Sequence, residues 1–232
     1  MMISLILPCY NPPPDWEKVV WDNYNSFSKN LPDPLQLIVV LDGKSVNATE
    51  QAMRLLKQRI PELVVVDYPQ NRGKGYAIRQ GVAKATGDII IYTDVDFPYT
   101  AGSMFAIYQR LNNNECDVAV GVKNESYYTH VPFVRRLISR WLRFVVRVFL
   151  SMPITDTQCG LKGFKREIAP LFLETTIDRY LFDLEFVRNC YKSKKYRVLP
   201  IPVALNENVH FRKMNFRILF PEMLSFVRLL FR

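Results

Sequence analysis

The sequence predicts an α/β protein with a mostly parallel central sheet flanked by helices. In the first half of the 232-residue chain, four apolar, β-rich runs alternate with three helical patterns. This alternation is the signature of a parallel sheet with helices on both faces. A hydrophobic content of 49% and a charged content of 23% are typical of a globular chain. The length is sufficient for one substantial domain with its own core.

The first half of the chain defines the predicted strands and helices most clearly. The strands are expected at residues 3–9, 35–41, 62–68 and 88–93. The helices between them are expected at residues 15–29, from Asn47 or Thr49 to Ile60, and at 76–85. Asp15 is the predicted N-cap of the first helix. The fourth strand contains four consecutive apolar residues between Gly87 and an acidic exit, which indicates burial on both faces.

The alternation continues to a fifth strand and then breaks. A helix is predicted at residues 101–112 and the fifth strand at 117–122, followed by one long helix at 132–150. Later elements are a helix at 178–192, a strand at 196–203 and a tail helix with Pro221 near its first position.

At 100° per residue, the helix at 132–150 gathers five arginines within an arc of about 140°. They are Arg135, Arg136, Arg140, Arg143 and Arg147. This pattern fits a helix at a membrane interface, and it also fits an amphipathic helix packed on the core.

Charge is distributed unevenly along the chain. Residues 1–116 contain 11 Lys+Arg and 12 Asp+Glu, whereas residues 117–232 contain 20 and 10, a net charge of +10. This asymmetry predicts an anionic partner for the second half, such as a membrane surface, a phosphorylated substrate or nucleic acid. No apolar run approaches the roughly 18 residues of a membrane span. The apolar N-terminus lacks a basic region and a cleavage site, so a first strand is expected there rather than a signal peptide.

The four cysteines predict a reducing environment. Cys9, Cys116, Cys159 and Cys190 are widely spaced and contain no CxxC pair. Such spacing favours reduced, buried thiols over disulfides or a zinc site. We therefore expect a cytoplasmic protein.

Acidic residues follow two of the predicted strands. Asp94 and Asp96 come directly after the fourth strand, and Asp42 follows the second. Ligands of open α/β sheets bind outside the carboxyl ends of the strands. Residues i and i+2 of an extended segment point the same way, so Asp94 and Asp96 can reach one cation together. Carboxylate oxygens suit Mg²⁺ or Mn²⁺, although aspartates are also common in turns and caps.

A basic turn, Asn71 to Gly75, precedes the third helix. Its backbone N–H groups and its cations, Arg72 and Lys74, suit a phosphate at a helix N-terminus. The sequence contains neither GxGxxG after the first strand nor GxxxxGK[ST] anywhere. Pro12 to Pro14 follow the first strand instead, which disfavours a sugar nucleotidyltransferase because that class needs a glycine-rich loop there.

Taken together, six segments resemble the inverting nucleotide-sugar glycosyltransferases of family 2, which have the GT-A fold. They are LILPCYN, IVVLDGKS, residues 71–96, DVAVGVK, TDTQCGLKGF and YLFDLEF. The last two are most similar to polyprenyl-phosphate and dolichyl-phosphate glycosyltransferases, particularly those that transfer glucose. The resemblance implies a GT-A catalytic domain at residues 1–215. Residues 216–232 are expected to form an amphipathic helix for membrane-surface contact.

The resemblance also implies roles for individual residues. Asp42 would contact the nucleoside, and Asp94 and Asp96 would bind Mg²⁺ or Mn²⁺, with Asp94 also touching the nucleotide. Asp156 would be the aspartate on the acceptor side. The remaining donor-binding residues would be Pro8, Tyr10, Asn11, Arg72 and Lys74. The remaining acceptor- or phosphate-binding residues would be Gln158, Arg212 and Lys213.

Two acceptors remain open at this point. If the acceptor is a lipid phosphate, its second pKa of about 6 makes it a dianionic nucleophile at neutral pH. Asp156 would then only position it. If the acceptor is a sugar hydroxyl in polysaccharide or lipopolysaccharide assembly, Asp156 must act as general base. The expected partners are a nucleotide sugar, one of these acceptors and the cytoplasmic face of an anionic membrane. A nucleic-acid-binding domain is a distant alternative, because no recognised nucleic-acid module is present.

Overall fold

One sheet organises the computed structural model, which describes residues 1–123, 146, 152–154, 156–206 and 219–230. The described strands are β1 (Ile3–Cys9), β2 (Leu35–Asp42), β3 (Val64–Tyr68), β4 (Ile89–Tyr92), β5 (Val118–Lys123), β6 (Lys162–Lys165) and β7 (Val198–Val203). Their order is β3-β2-β1-β4-β6-β5-β7. Strand β6 runs antiparallel to both of its neighbours, and the other pairings are parallel. The predicted mostly parallel sheet is confirmed.

Helices cover both faces of this sheet. The described helices are α1 (Trp16–Ser28), α2 (Glu50–Arg59), α3 (Lys74–Lys84), α4 (Ala101–Asn112), α5 (Ala169–Leu173), α6 (Phe182–Ser193) and α7 (Leu219–Leu230). Side chains of α1, α2 and α4 pack with Leu5 and Leu7 of β1 in one apolar cluster. Side chains of α3, α5, α6 and α7 pack with Ile6 in a second cluster on the other face. This follows from the alternation of side chains along a strand.

Most predicted elements agree with the structure, and two predicted helix starts were wrong. Asp15 occupies the predicted N-cap position of α1, although it adopts a left-handed conformation and its side chain makes no capping hydrogen bond. Helix α3 begins at Lys74 rather than Tyr76, so part of the basic turn forms its first turn. Helix α6 begins at Phe182 rather than Asp178. The Asp178 carbonyl accepts a hydrogen bond from the Tyr76 amide, 3.2 Å away, and residues 178–181 form a non-helical connection.

Strand β6 has no counterpart among the predicted elements. It contains four residues, KGFK, which are too few to show an apolar periodicity. Lys162 at its start pairs with Tyr92 of β4 and with Val120 of β5, and its side chain is fully buried. A short strand with a lysine at each end becomes recognisable only when its two neighbours are in place.

The C-terminal helix α7 packs against the second cluster through Leu229, which is 2% exposed, and through Phe226. The Glu222 carboxylate accepts hydrogen bonds from the backbone N–H groups of Tyr180 and Leu181, just before α6. Of the predicted helix at 132–150, the structure describes Val146, which is buried. The rest of that helix, including its five arginines, lies outside the described residues. None of the helices that the structure describes is long and apolar enough to cross a membrane.

Candidate functional site

The carboxyl ends of the parallel strands bring several predicted site residues to one edge of the sheet. Pro8 lies in β1, and the exposed Tyr10 and Asn11 follow that strand. The Asn11 amide donates to the Ser45 hydroxyl, 2.5 Å away, which joins the loops after β1 and β2. Asn11 has a φ of 44°, a left-handed conformation that asparagine tolerates better than most residues. The loops flanking this edge are therefore fixed to each other.

Asp42, the last residue of β2, organises the basic turn. Its side chain is 3% exposed. One carboxylate oxygen accepts from the Arg72 amide at 2.7 Å and from the Tyr68 hydroxyl at 2.9 Å. The other accepts from the Asn71 side chain at 2.8 Å and the Gly73 amide at 2.9 Å. Asp42 thus holds the turn that leads into α3. A direct contact between Asp42 and a nucleoside stays a prediction.

The basic turn is also pressed against the connection before α6. Gly73 has a φ of 105°, and a Cβ there would lie 2.6 Å from the Asp178 carbonyl oxygen, so glycine is required. Arg79 of α3 forms an ion pair with the Asp178 carboxylate and donates to the Ile177 carbonyl at 3.0 Å. The Arg72 guanidinium lies 3.8 Å from the centre of the Tyr76 ring. The exposed Arg72 is thereby held at the mouth of the site.

Lys74 and Asp94 form an ion pair at the exit of β4. The Lys74 ammonium lies 2.5 Å from one Asp94 oxygen, and the two side chains are 18% and 36% exposed. Burial alone lowers the pKa of Lys74, but attraction to Asp94, Asp183 and Asp96 outweighs it and raises that pKa. Lys74 therefore remains a cation beside the two aspartates. Asp96, two residues further along, is exposed.

Asp156 lies on the other side of the site, beside the end of β5. One of its carboxylate oxygens accepts from the Lys123 amide at 2.9 Å, and the other lies 3.7 Å from the Lys123 ammonium. Asp156 is only 8% exposed. Within the described ranges, the Thr157 hydroxyl and the Gln158 amide nitrogen are buried without a hydrogen-bond partner.

Gly160 brings the two sides of the site together. A Cβ at Gly160 would lie 2.5 Å from an Asp94 oxygen and 3.3 Å from the Lys74 ammonium. A side chain at position 160 would therefore displace the Asp94 carboxylate from its present place beside Lys74. The Gly160 amide donates to the hydroxyl of the buried Tyr99, 3.1 Å away, which fixes the segment in this position. The segment that contains Asp156 and Gln158 therefore comes close to the Lys74–Asp94 pair at Gly160.

A buried polar cluster beneath this site was missed by sequence reasoning. Lys162 is 0% exposed, and its ammonium lies 2.8 Å from the Asp183 carboxylate. The same Asp183 oxygen accepts from the Tyr92 hydroxyl at 2.6 Å, and Lys162 also donates to the Cys159 carbonyl. Burial, together with the Asp183 charge, raises the pKa of Tyr92. The available sequence signal was the presence of charged residues inside two apolar segments, Lys162 in GLKGF and Asp183 and Glu185 in YLFDLEF.

The residues at the exit of β4 suit a divalent cation. Asp94 and Asp96 supply hard carboxylate oxygens that are at least partly exposed. Among the described residues, no group of three or more His, Cys, Asp or Glu side chains is placed to hold a metal. Two carboxylates with the remaining positions filled by water and substrate phosphates is the usual arrangement for Mg²⁺. The donor set therefore fits a cation that binds together with a diphosphate.

The predicted site residues divide into two groups. Those that the structure describes are Pro8, Tyr10, Asn11, Asp42, Arg72, Lys74, Asp94, Asp96, Asp156 and Gln158, and they lie at or beyond the carboxyl end of the sheet. Arg212 and Lys213 lie outside the described residues. The roles of all twelve stay predictions. The four cysteines are free and buried, as expected.

Known proteins resemble this chain in sequence and in fold. The dolichyl-phosphate beta-glucosyltransferase of Saccharomyces cerevisiae is 23% identical over 226 residues, covering 89% of this chain and 67% of that protein. The enzyme of the same name from Drosophila melanogaster is 30% identical over 201 residues, covering 80% of this chain and 61% of its own length. The chain thus spans about two thirds of the length of these relatives.

A solved structure and a family profile complete the comparison. Glucosyl-3-phosphoglycerate synthase from Mycobacterium tuberculosis, solved with Mn²⁺, UDP-glucose and phosphoglyceric acid, superimposes with a TM-score of 0.64. It is 17% identical, and the match covers 99% of this chain and 78% of that chain. This likeness confirms the predicted GT-A fold. The profile described as Glycosyl transferase family 2 matches residues 4–171, which is most of the sequence. The chain therefore belongs to glycosyl transferase family 2.

Proposed function

We propose that this protein transfers a hexose from a nucleotide sugar to a polyprenyl phosphate with inversion at the anomeric carbon, using Mg²⁺ or Mn²⁺. The observation that carries the proposal is the contact between Gly160 and the Lys74–Asp94 pair. It supports the proposal because the segment that contains Asp156 and Gln158 comes close to Asp94 at the exit of β4. The relatives named dolichyl-phosphate beta-glucosyltransferase support a UDP-glucose-like donor and a dolichyl-type acceptor. A GDP-mannose-like donor is the alternative.

Each side of the site has a distinct task in this reaction. Asp94 and Asp96 would hold the divalent cation, which when bound neutralises the donor diphosphate and stabilises the leaving nucleoside diphosphate. Lys74, a cation within 2.5 Å of Asp94, adds positive charge beside the same phosphates. The Asp42-anchored turn orients Arg72 and the N-terminus of α3 toward the donor. These groups together lower the cost of the charge that develops as the sugar departs.

Asp156 acts on the acceptor. A phosphomonoester has a second pKa of about 6, so a polyprenyl phosphate reaches the site as a competent nucleophile and needs no strong base. Asp156, held by Lys123, then orients the acceptor and its cationic partners for attack in line with the leaving group. With a sugar hydroxyl as acceptor, the same carboxylate would have to take the proton. That second acceptor class is the alternative tested below.

The proposal includes peripheral attachment to an anionic, cytoplasmic membrane face, because a polyprenyl acceptor resides in a bilayer. Support comes from the +10 charge of residues 117–232 and from the four reduced cysteines. Each Lys or Arg near an anionic surface contributes about 1 kcal/mol of attraction. The five arginines of residues 132–150 would supply roughly 5 kcal/mol, which suffices for reversible binding.

The test is a transfer assay with defined donors and acceptors. Purified protein is incubated with radiolabelled UDP-glucose or GDP-mannose, Mn²⁺ or Mg²⁺, and either polyprenyl phosphate in detergent or a soluble glycan. We expect metal-dependent formation of a glycolipid that alkaline phosphatase does not cleave but mild acid does. Label entering only the glycan would replace the lipid-phosphate acceptor by a hydroxyl acceptor. Label entering neither, with both donors, would reject the proposed function.

A further inference from the structure

The fully buried ion pair between Lys162 and Asp183 has no role in the chemistry described above. The two side chains are 0% and 5% exposed, and their charged atoms are 2.8 Å apart. Removing two charges from water is energetically costly, and apolar residues of similar volume often stabilise a fold equally well or better. Stability alone is therefore a weak reason for a lysine and an aspartate at these positions. Their location beneath the site suggests a different one.

Each member of the pair holds a different side of the site. The Lys162 ammonium donates to the Cys159 carbonyl, in the segment that runs from Asp156 to Gly160. Asp183 lies in the first turn of α6, which packs on the first turn of α3, since a Cβ at Gly75 would lie 2.6 Å from the Phe182 Cβ. From there its charge attracts Lys74, which in turn pairs with Asp94. Tyr92, the last residue of β4, donates its hydroxyl to the same Asp183 oxygen and keeps that carboxylate in place. Charges therefore alternate from Lys162 through Asp183 and Lys74 to Asp94, from the core to the partly exposed edge.

We propose that Lys162 and Asp183 are positioning residues for sugar transfer. Lys162 fixes the backbone of residues 156–160. Asp183 keeps the Lys74 ammonium in position when a bound divalent cation would compete with Lys74 for the Asp94 carboxylate. One buried ion pair thus sets the separation between the acceptor-side and donor-side groups. The proposal rests on the proposed function, because it concerns the geometry of that reaction. Neither residue is assigned a contact with substrate, so their effect passes through Gly160 and Lys74.

The experiment compares the variants Lys162→Met and Asp183→Asn with the double variant. Each single change leaves an uncompensated buried charge, so both are expected to be less stable. The double variant has no unpaired charge and is expected to regain most of the lost stability. We expect its kcat to stay at least about tenfold below that of the wild type, since misplacements near 1 Å can cost far more. A double variant that regains both stability and kcat would overturn the proposal.

A second ion pair on the same strand provides a matched control. Lys165, the last residue of β6, pairs with Asp117, which directly precedes β5, and 2.8 Å separates their charged atoms. Lys165→Met is expected to lower stability while the folded protein keeps the wild-type kcat. An equal loss of kcat in this control would show that any weakened pair in β6 slows transfer, and the positioning role would be rejected.

Amide hydrogen exchange gives a readout that does not depend on activity. The Gly160 amide, which donates to Tyr99, is expected to exchange faster in the double variant than in the wild type. It is expected to keep its protection in Lys165→Met. Unchanged protection of Gly160 in the double variant would overturn the positioning role even if the wild type transferred no sugar. Failure of the wild type in the transfer assay would instead count against the proposed function.

Discussion

Replacing Asp42 by alanine tests how the donor side of the site is built. The change removes the acceptor for four hydrogen bonds, two from backbone amides and two from side chains. Asn71 and Arg72 are exposed and can turn to water, so we count only the donors of Tyr68 and Gly73 as lost. At about 1–3 kcal/mol for each unsatisfied donor, the free energy of unfolding should fall by about 4 kcal/mol.

Urea denaturation followed by circular dichroism measures this loss. With an m-value of about 3 kcal/mol/M, the midpoint should fall by roughly 1.3 M. Tyr68→Phe is the matched control. It removes only the hydrogen bond from the Tyr68 hydroxyl, and the Asp42 oxygen that accepted it still accepts from the Arg72 amide. This control should lose about 1 kcal/mol, the net value of a single hydrogen bond. Affinity for the nucleotide sugar, measured by calorimetry, should fall in Asp42→Ala because the turn before Lys74 loses its anchor.

Two results would contradict this account of Asp42. A stability loss below about 1 kcal/mol would be no larger than the net contribution of a single hydrogen bond. It would mean that contacts other than those of Asp42 hold the basic turn. Normal stability together with a large loss of donor affinity would point to a direct contact between Asp42 and the nucleoside. The reasoning from the hydrogen-bond geometry would then be refuted.

Four further predictions concern the metal, the acceptor, the sheet and the membrane. Asp96→Asn should abolish transfer with little change in melting temperature because Asp96 is exposed; full activity in this variant, or in wild type with EDTA, would remove the metal role. Asp156→Asn should lower kcat about 100-fold or more and leave the affinity for the donor nearly unchanged, because Asp156 is assigned to the acceptor. A loss of donor affinity with normal turnover at saturation would show that Asp156 contacts the donor instead. Burial alone raises the pKa of Asp117, but hydrogen bonds from Arg197 and Lys165 outweigh it and hold that pKa well below its usual range. The free energy of unfolding of Asp117→Asn should therefore be about 3 kcal/mol lower than that of the wild type at pH 7. This difference, measured by urea denaturation, should become smaller as the pH falls below about 4. A difference that does not depend on pH would contradict the pairing. Replacing arginines within residues 132–150 by glutamine should reduce co-sedimentation with anionic liposomes, and wild-type binding should weaken with salt; equal, salt-insensitive binding to neutral liposomes would reject an electrostatic membrane contact.

The sequence by itself determined the strands and helices that carry the site. Apolar runs and helical spacings reflect which side chains face the core, and that information is local. It was sufficient for β1, β2, β4 and the helix at 101–112, and for placing Asp42, Asp94 and Asp96 at strand exits. The family resemblance was also visible at this level, because it depends on the order and spacing of short segments.

Only the tertiary structure decided how these segments meet. Asp42 finds its hydrogen-bond donors about 30 residues away, and Asp183 meets Tyr92 across 91 residues. Lys162 is stable in the core because Asp183 and the Cys159 carbonyl surround its ammonium. Contacts of this kind leave no periodic signal, since a buried ion pair and a surface charge use the same residue types. The insertion of β6 between β4 and β5 places Lys162 in the core and Gly160 beside Asp94. Neither position could be predicted from the sequence.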